Sequence, residues 1–290
     1  MQETDAGRAF RDAEVHTANV GTADIAYRRI GRGAPLLLIH GWPLSGFTWR
    51  HVVQRLRSTF ECIVPDSPGA GETRYQPEHD FSFRGQAEAY ARLLDEIGLV
   101  RVAILAQDTG ATIARELALI VGARVDKLVM VNTEIPNHRP PFIRMFQKLA
   151  RVPGAAASLR MMMRSRMFRR SSMGFGGCFC DLSLLEGEFH DHHVRPLIES
   201  SARMQGQIHY LRGIDWKLVD GLASRHREIA ARTLFVWGED DPTFPIALGR
   251  DMVGQLSRCV GLRAVPGARL LVHEEKPDAV VEHSLELLGS

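Results

Sequence analysis

Four cysteines in 290 residues are too few for a disulfide framework. The one close pair, Cys178 and Cys180, is separated by a single residue, which is the wrong spacing for a zinc knuckle or a redox pair. Free, mostly buried thiols and no metal centre are expected. Charge of one sign is also missing: 36 Lys and Arg stand against 34 Asp and Glu, a formal +2, so nothing in the balance argues for nucleic acid or an anionic membrane as partner. Long apolar runs are absent. Stretches such as Leu36 to Ile39 and Leu128 to Val131 fall far short of the roughly 18 residues that span a bilayer, so no transmembrane helix is expected. The first 15 residues carry Glu3, Asp5, Arg8, Arg11, Asp12 and Glu14 and no apolar stretch of signal-peptide length, from which a cytoplasmic location is expected. A small molecule is the expected partner, and nothing opposes a homodimer.

What is present, 45% hydrophobic and 24% charged residues, is the composition of a folded globular chain with a large core. Short apolar runs at 25–29, 36–40, 62–66, 102–107 and 128–132 predict strands, and the three-and-four spacing of apolar residues predicts helices at 48–57, 83–97 and 109–121. Leu36-Leu37-Leu38-Ile39 and Ala103-Ile104-Leu105 are continuous rather than alternating, as in strands covered on both faces. The class is therefore α/β with a mostly parallel sheet. Alternation stops near Glu134 and resumes with a strand at 233–237, a helix at 246–256, a strand at 262–265 and a helix after Pro277. Residues 135–226 contain no strand pattern but much Met, Arg and Leu at helical spacing. They are read as a helical cap inserted into a core of residues 1–134 and 227–290, above the sheet edge where open α/β sheets place ligands. Eight basic residues and no acidic one between Pro141 and Arg170, and the cluster His190-Asp191-His192-His193, are both read as solvated faces.

The strand at 102–107 runs into Ala106-Gln107-Asp108-Thr109-Gly110-Ala111 and then a helix. Small residues two positions either side of one reactive side chain are what a sharp strand-to-helix turn requires when it thrusts a nucleophile outward. An Asp in that place can equally be a helix N-cap. His40-Gly41-Trp42-Pro43 ends an earlier strand, where the backbone N–H of Trp42 could join that of Thr109 in holding an oxyanion. Asp66-Ser67-Pro68-Gly69-Ala70-Gly71-Glu72-Thr73 is a tight glycine turn. It fails as a dinucleotide fingerprint because Arg74 stands where the third glycine belongs, and no cofactor is expected. Trp237-Gly238-Glu239-Asp240-Asp241-Pro242 places carboxylates just past a late strand.

With these motifs in this order the chain resembles the α/β-hydrolase superfamily over nearly its whole length. Its Asp at the elbow is similar to the haloalkane dehalogenase and epoxide hydrolase branch. The resemblance implies that Asp108 displaces a leaving group from saturated carbon and that water then cleaves the alkyl ester, with Trp42 and Thr109 holding the oxyanion, Asp241 as the acid of the relay and Glu134 as its alternative. It also implies cap tyrosines that protonate an epoxide oxygen, for which the insert offers Tyr210. Two departures matter. Thr109 stands where dehalogenases carry a halide-binding Trp. In Pro266-Gly267-Ala268-Arg269-Leu270-Leu271-Val272-His273, leucine occupies the expected position of the water-activating histidine, and His273 is the nearest substitute. Rearrangement without water, or a protein that binds without turning over, stand as alternatives for that reason.

Overall fold

The computed structural model describes residues 3–290. Nine strands form one sheet: β1 Val15–Asn19, β2 Ala23–Gly31, β3 Ala34–Ile39, β4 Phe60–Pro65, β5 Arg74–Tyr75, β6 Val102–Gln107, β7 Val125–Val131, β8 Arg232–Gly238 and β9 Cys259–Val265. Their spatial order is β1-β2-β4-β3-β6-β7-β8-β9, with the short β5 pairing on β2. Pairs β1–β2, β2–β4 and β2–β5 are antiparallel, and every pair from β4 onward is parallel. The predicted strand at 102–107 and helix at 109–121 coincide with β6 and with helix Thr109–Val121. The other predicted strands fall within, or one residue beyond, observed ones.

Apolar residues on both faces of the central strands explain the two cores. Leu37, Ile39, Ile104, Ala106 and Met130 face one side, while Leu36, Leu38, Leu105, Val129 and Val131 face the other, all fully buried. Period-two geometry sends neighbouring side chains to opposite faces, so a continuous run feeds both layers at once. Helices Phe83–Glu96 and Thr109–Val121 cover the first face; helices Asp5–Asp12, Arg50–Leu56 and Pro277–Leu288 cover the second.

Between β7 and β8 the chain forms helices Pro141–Ala150, Ala155–Arg164, Arg166–Arg170, Arg195–Glu199, Ser201–Gly213 and Trp216–Arg225, with no strand. Part of the predicted basic face has another use. Arg160 donates to the carbonyl of Ile198, Arg169 to those of Met163 and Arg164, and Arg170 to that of Leu182. The guanidinium groups of Arg160 and Arg169 satisfy carbonyls that the last turns of helices Arg195–Glu199 and Ala155–Arg164 leave open. The reading of His190-Asp191-His192-His193 as a solvated face is corrected more sharply. That stretch is a π-helical turn in which His193 is buried and His192 stacks on Phe47 with ring centroids 3.8 Å apart. Charge counting cannot register that three of its four polar residues are imidazoles, which neutral can pack like aromatics. The cysteines are free, with Cys62 buried and Cys180 exposed. No described helix is long and apolar enough to cross a membrane.

Candidate active site

The turn at Asp108 is built from the backbone outward. Asp108 has φ +52° and ψ −133°, a conformation costly for a side-chain-bearing residue. It occupies the N-cap position of helix Thr109–Val121, yet its side chain makes no capping hydrogen bond. The carboxylate turns instead toward the loop after β3, where Oδ2 accepts from the Trp42 backbone N–H at 3.1 Å. Close approach explains the neighbouring glycines: a Cβ at Gly41 would lie 2.5 Å from the Asp108 Cβ, and one at Gly110 would lie 2.4 Å from the His40 carbonyl. The loop after β4 is held in the same way from Asp66, whose carboxylate accepts from the Gly46 N–H at 2.7 Å and the Glu72 N–H at 2.8 Å.

Thr109 completes this corner. Its hydroxyl accepts from the Trp42 N–H at 2.8 Å and from the Tyr210 hydroxyl at 3.1 Å, and faces Asp108 Oδ2 at 3.5 Å. Four of the sequence-predicted residues, Trp42, Asp108, Thr109 and Tyr210, are thereby brought together. Trp42, Asp108 and Thr109 line a cavity of about 1040 Å³ counted with its mouth. Tyr210 is buried behind Thr109 and does not border it.

The rest of the wall is apolar. The insert contributes Phe142, Phe146, Leu159, Met163 and Phe168, while Phe244 and Leu270 come from the loops after β8 and β9. Polar lining is confined to Asp108, Thr109, Glu134, Gln207, Thr243, Cys178 and the edges of Trp42 and Trp216, the few oriented groups in an apolar hollow that a small-molecule site requires. Gln207 was not singled out from sequence, because nothing local distinguishes it from an ordinary helix residue, and Cys178 was read there only as a free thiol.

Among the described residues, no histidine lines this cavity. Leu270 does, with its carbonyl 3.4 Å from the Gln107 side-chain nitrogen. His273 lies elsewhere. Its ring is fully buried against Trp49, centroids 4.6 Å apart, and its Nε2 is 2.7 Å from the Thr48 hydroxyl. Thr48 in turn donates to Glu274 Oε1 at 2.7 Å, so the His273 Nε2 proton points to Thr48 and away from the cavity. Burial pushes this imidazole down to about 4, leaving it neutral. Around it Arg50 donates to Glu188 at 2.8 Å and to Glu274 at 2.9 Å. Burial alone would raise Glu274, but Arg50 overcomes it and holds the carboxyl to about 2.

Asp241 also stands outside the cavity lining. Its Oδ2 accepts from the Asn132 side chain at 2.7 Å and its Oδ1 from the Thr243 N–H at 2.8 Å. Those bonds do not offset burial, which pushes it up to about 7. Glu134 does line the cavity. Its Oε2 accepts from the hydroxyls of Thr112 at 2.6 Å and Thr133 at 3.2 Å. Arg115, fully buried, donates to both of those hydroxyls and to the Glu134 carbonyl, at 2.6, 3.0 and 2.9 Å. Asp108 is raised well above the usual carboxylate range, first by burial and then by the charge of Glu134. No group of three or more described His, Cys, Asp or Glu side chains forms a metal site.

Sheet order, elbow and loop contacts define an α/β hydrolase, and the family comparison agrees: residues 34–277 match the alpha/beta hydrolase fold model, and the chain belongs to that family. It is an α/β-fold hydrolase related at low identity to epoxide hydrolases and haloalkane dehalogenases. Epoxide hydrolase 2 of Caenorhabditis elegans is 24% identical over 287 residues, covering 93% of this chain and 76% of the relative. Haloalkane dehalogenase 2 of Mycobacterium tuberculosis is 26% identical over 276 residues, covering 91% of each. A solved haloalkane dehalogenase from Bradyrhizobium elkani superposes with a TM-score of 0.75 at 20% identity, over 95% of this chain and 97% of that one.

Proposed function

We propose that the protein hydrolyses a small, largely apolar molecule at a saturated carbon bearing a strained or displaceable heteroatom, through an alkyl ester on Asp108. The observation that carries this reading is the Asp108 carboxylate. It stands on a strained turn, free of capping duty, at a cavity whose other walls are almost wholly apolar. Serine at such a turn attacks acyl carbon, whereas a carboxylate displaces a leaving group from alkyl carbon. The Trp42 N–H already contacts Asp108 Oδ2 and lies where charge develops on that oxygen when water attacks the ester. Acid quench after mixing with substrate, followed by mass spectrometry, should find the alkyl group on the Asp108 peptide. Asp108→Ala should abolish both the adduct and turnover, and turnover surviving that change would refute the assignment.

A second reading rests on Leu270. Where no imidazole reaches the ester, the protein could alkylate once and stop, or complete a reaction that needs no water. Stoichiometry separates these outcomes: one product per chain marks a stalled ester. Label from heavy-oxygen water entering the product marks hydrolysis, and its absence a rearrangement.

A further inference from the structure

The insert faces two ways. Helices Pro141–Ala150, Ala155–Arg164 and Arg166–Arg170 line the cavity with Phe142, Phe146, Leu159, Met163 and Phe168. On the other side of the first helix Arg144, Met145 and Lys148 are exposed, and on that of the second Ala157, Ser158, Met161 and Arg164, at the three-and-four spacing of a single face. Both helices pack on helix Ser201–Gly213 and on each other, so the two outer faces lie side by side.

This surface is polarised in charge. Residues 141–170 hold eight basic side chains and no acidic one, while the whole chain carries a formal +2, so the chain outside that segment is net negative. The near-neutral total conceals a molecule whose positive side is the insert. Arg166 and Arg170 meet Glu186, and Arg160 and Arg169 are given to carbonyls. Arg144, Lys148, Arg151 and Arg164 pair with no carboxylate among the described residues.

The same surface exposes apolar side chains. Val152 is 52% exposed, Met161 67% and Met167 84%, so these side chains rest on nothing of their own chain. With Met145 and Met173 they make five of the eleven exposed large hydrophobic residues among the described ones, gathered into one segment where scatter is the ordinary pattern. None of the eleven is aromatic, which disfavours single-stranded nucleic acid, whose bases stack on rings. Cations alone suit any polyanion. Cations interleaved with flexible thioethers suit an anionic bilayer, where headgroups meet the charge, the acyl boundary takes the methionines, and the long Lys and Arg stems span the two. The cavity continues this surface: Met173 borders it, and Phe142, Ile143 and Phe168 line it while only half-buried.

We propose that the outer face of the insert is a docking surface for an anionic phospholipid bilayer. The docking is independent of the chemistry at Asp108.

The test is co-sedimentation of the full chain with vesicles of phosphatidylcholine alone and of phosphatidylcholine containing about 30% phosphatidylglycerol. The chain should pellet with the anionic vesicles only, and raising the salt from about 50 to about 500 mM should release most of it. Arg144→Gln with Lys148→Gln should lower partitioning about 25-fold, at about fivefold per charge. Met161→Ser with Met167→Ser keeps every charge and should lower it about tenfold. All four side chains are exposed, so circular dichroism and the urea midpoint should match wild type. Val100→Ser with Arg101→Gln makes a matched change at the amino end of β6, where Val100 is 77% exposed, and should leave partitioning unaltered. Equal pelleting with both kinds of vesicle, none with either, or a loss as large in the Val100 and Arg101 variant as in the insert variants would overturn the proposal. Retention on immobilised polyglutamate without vesicle binding would assign the face to an acidic protein and overturn the lipid reading.

Discussion

Asp241 is a buried carboxylate without a cationic partner among the described residues, and replacing it with Asn should reveal what that costs. Its hydrogen bonds come from the neutral amide of Asn132 and from backbone at Thr243, and burial raises it from 3.8 to about 7. A shift of about 3 units corresponds to about 4 kcal/mol at about 1.36 kcal/mol per unit. The sign follows from linkage: below 3.8 the carboxyl is protonated in both states and costs nothing, whereas above 7 it is ionised in both and the native state bears the whole penalty. Wild type should therefore lose about 4 kcal/mol relative to Asp241→Asn as pH rises from 4 to 8, most of it between 4 and 7. Comparing the two proteins at each pH cancels groups whose titration does not sense Asp241, such as the buried histidines. It also separates the effect from any pH-independent cost of aiming an amide N–H at one of the donors. Urea unfolding followed by tryptophan fluorescence at pH 4.5, 6 and 8 measures it. A difference that stays constant across that range would refute the claim that burial dominates at Asp241.

Three further outcomes are expected. Glu274→Gln leaves the Arg50 guanidinium buried with only Glu188 as counter-charge and should cost about 3 to 5 kcal/mol, read as a lower urea midpoint at pH 7. His273→Ala should lower stability by about 2 to 4 kcal/mol through the vacated space against Trp49, yet leave the decay rate of any Asp108 ester unchanged; a slower decay would restore His273 as the base. Leu270→His puts an imidazole on the cavity wall and should accelerate ester decay in single-turnover experiments by up to about 10².

The parts legible in the sequence were those where local pattern and tertiary demand coincide. Strand β6 and the helix after it read correctly to the residue because a run buried on both faces ends at a turn that only small neighbours permit. The antiparallel edge was not read: β1 is five residues long with a mostly exposed, polar pattern, and β5 has two residues. Nor could spacing alone decide which way a side chain turns. His273 is only three positions beyond Leu270, but in the short helix Val272–Glu275 that separation sends its ring toward Thr48 and Trp49, while Leu270 remains at the cavity. The Arg115, Thr112, Thr133 and Glu134 network draws on one helix and one strand end, so its members are neighbours in space without forming any motif along the chain.

The Arg50 cluster also has a mechanical side. Through Glu188 it rivets the insert to the helix Arg50–Leu56, and the backbone N–H of Thr4 fastens the same carboxylate to the N-terminal helix. Elsewhere in the insert Met173 borders the cavity while 40% exposed, and Met145, Met161 and Met167 are exposed on its helices. One margin is thus bolted by directional charge, which yields only by breaking, and the other is upholstered in thioethers, which yield by rotating. Accommodating a bulkier guest would thus draw on the thioethers before it disturbed the Arg50 cluster.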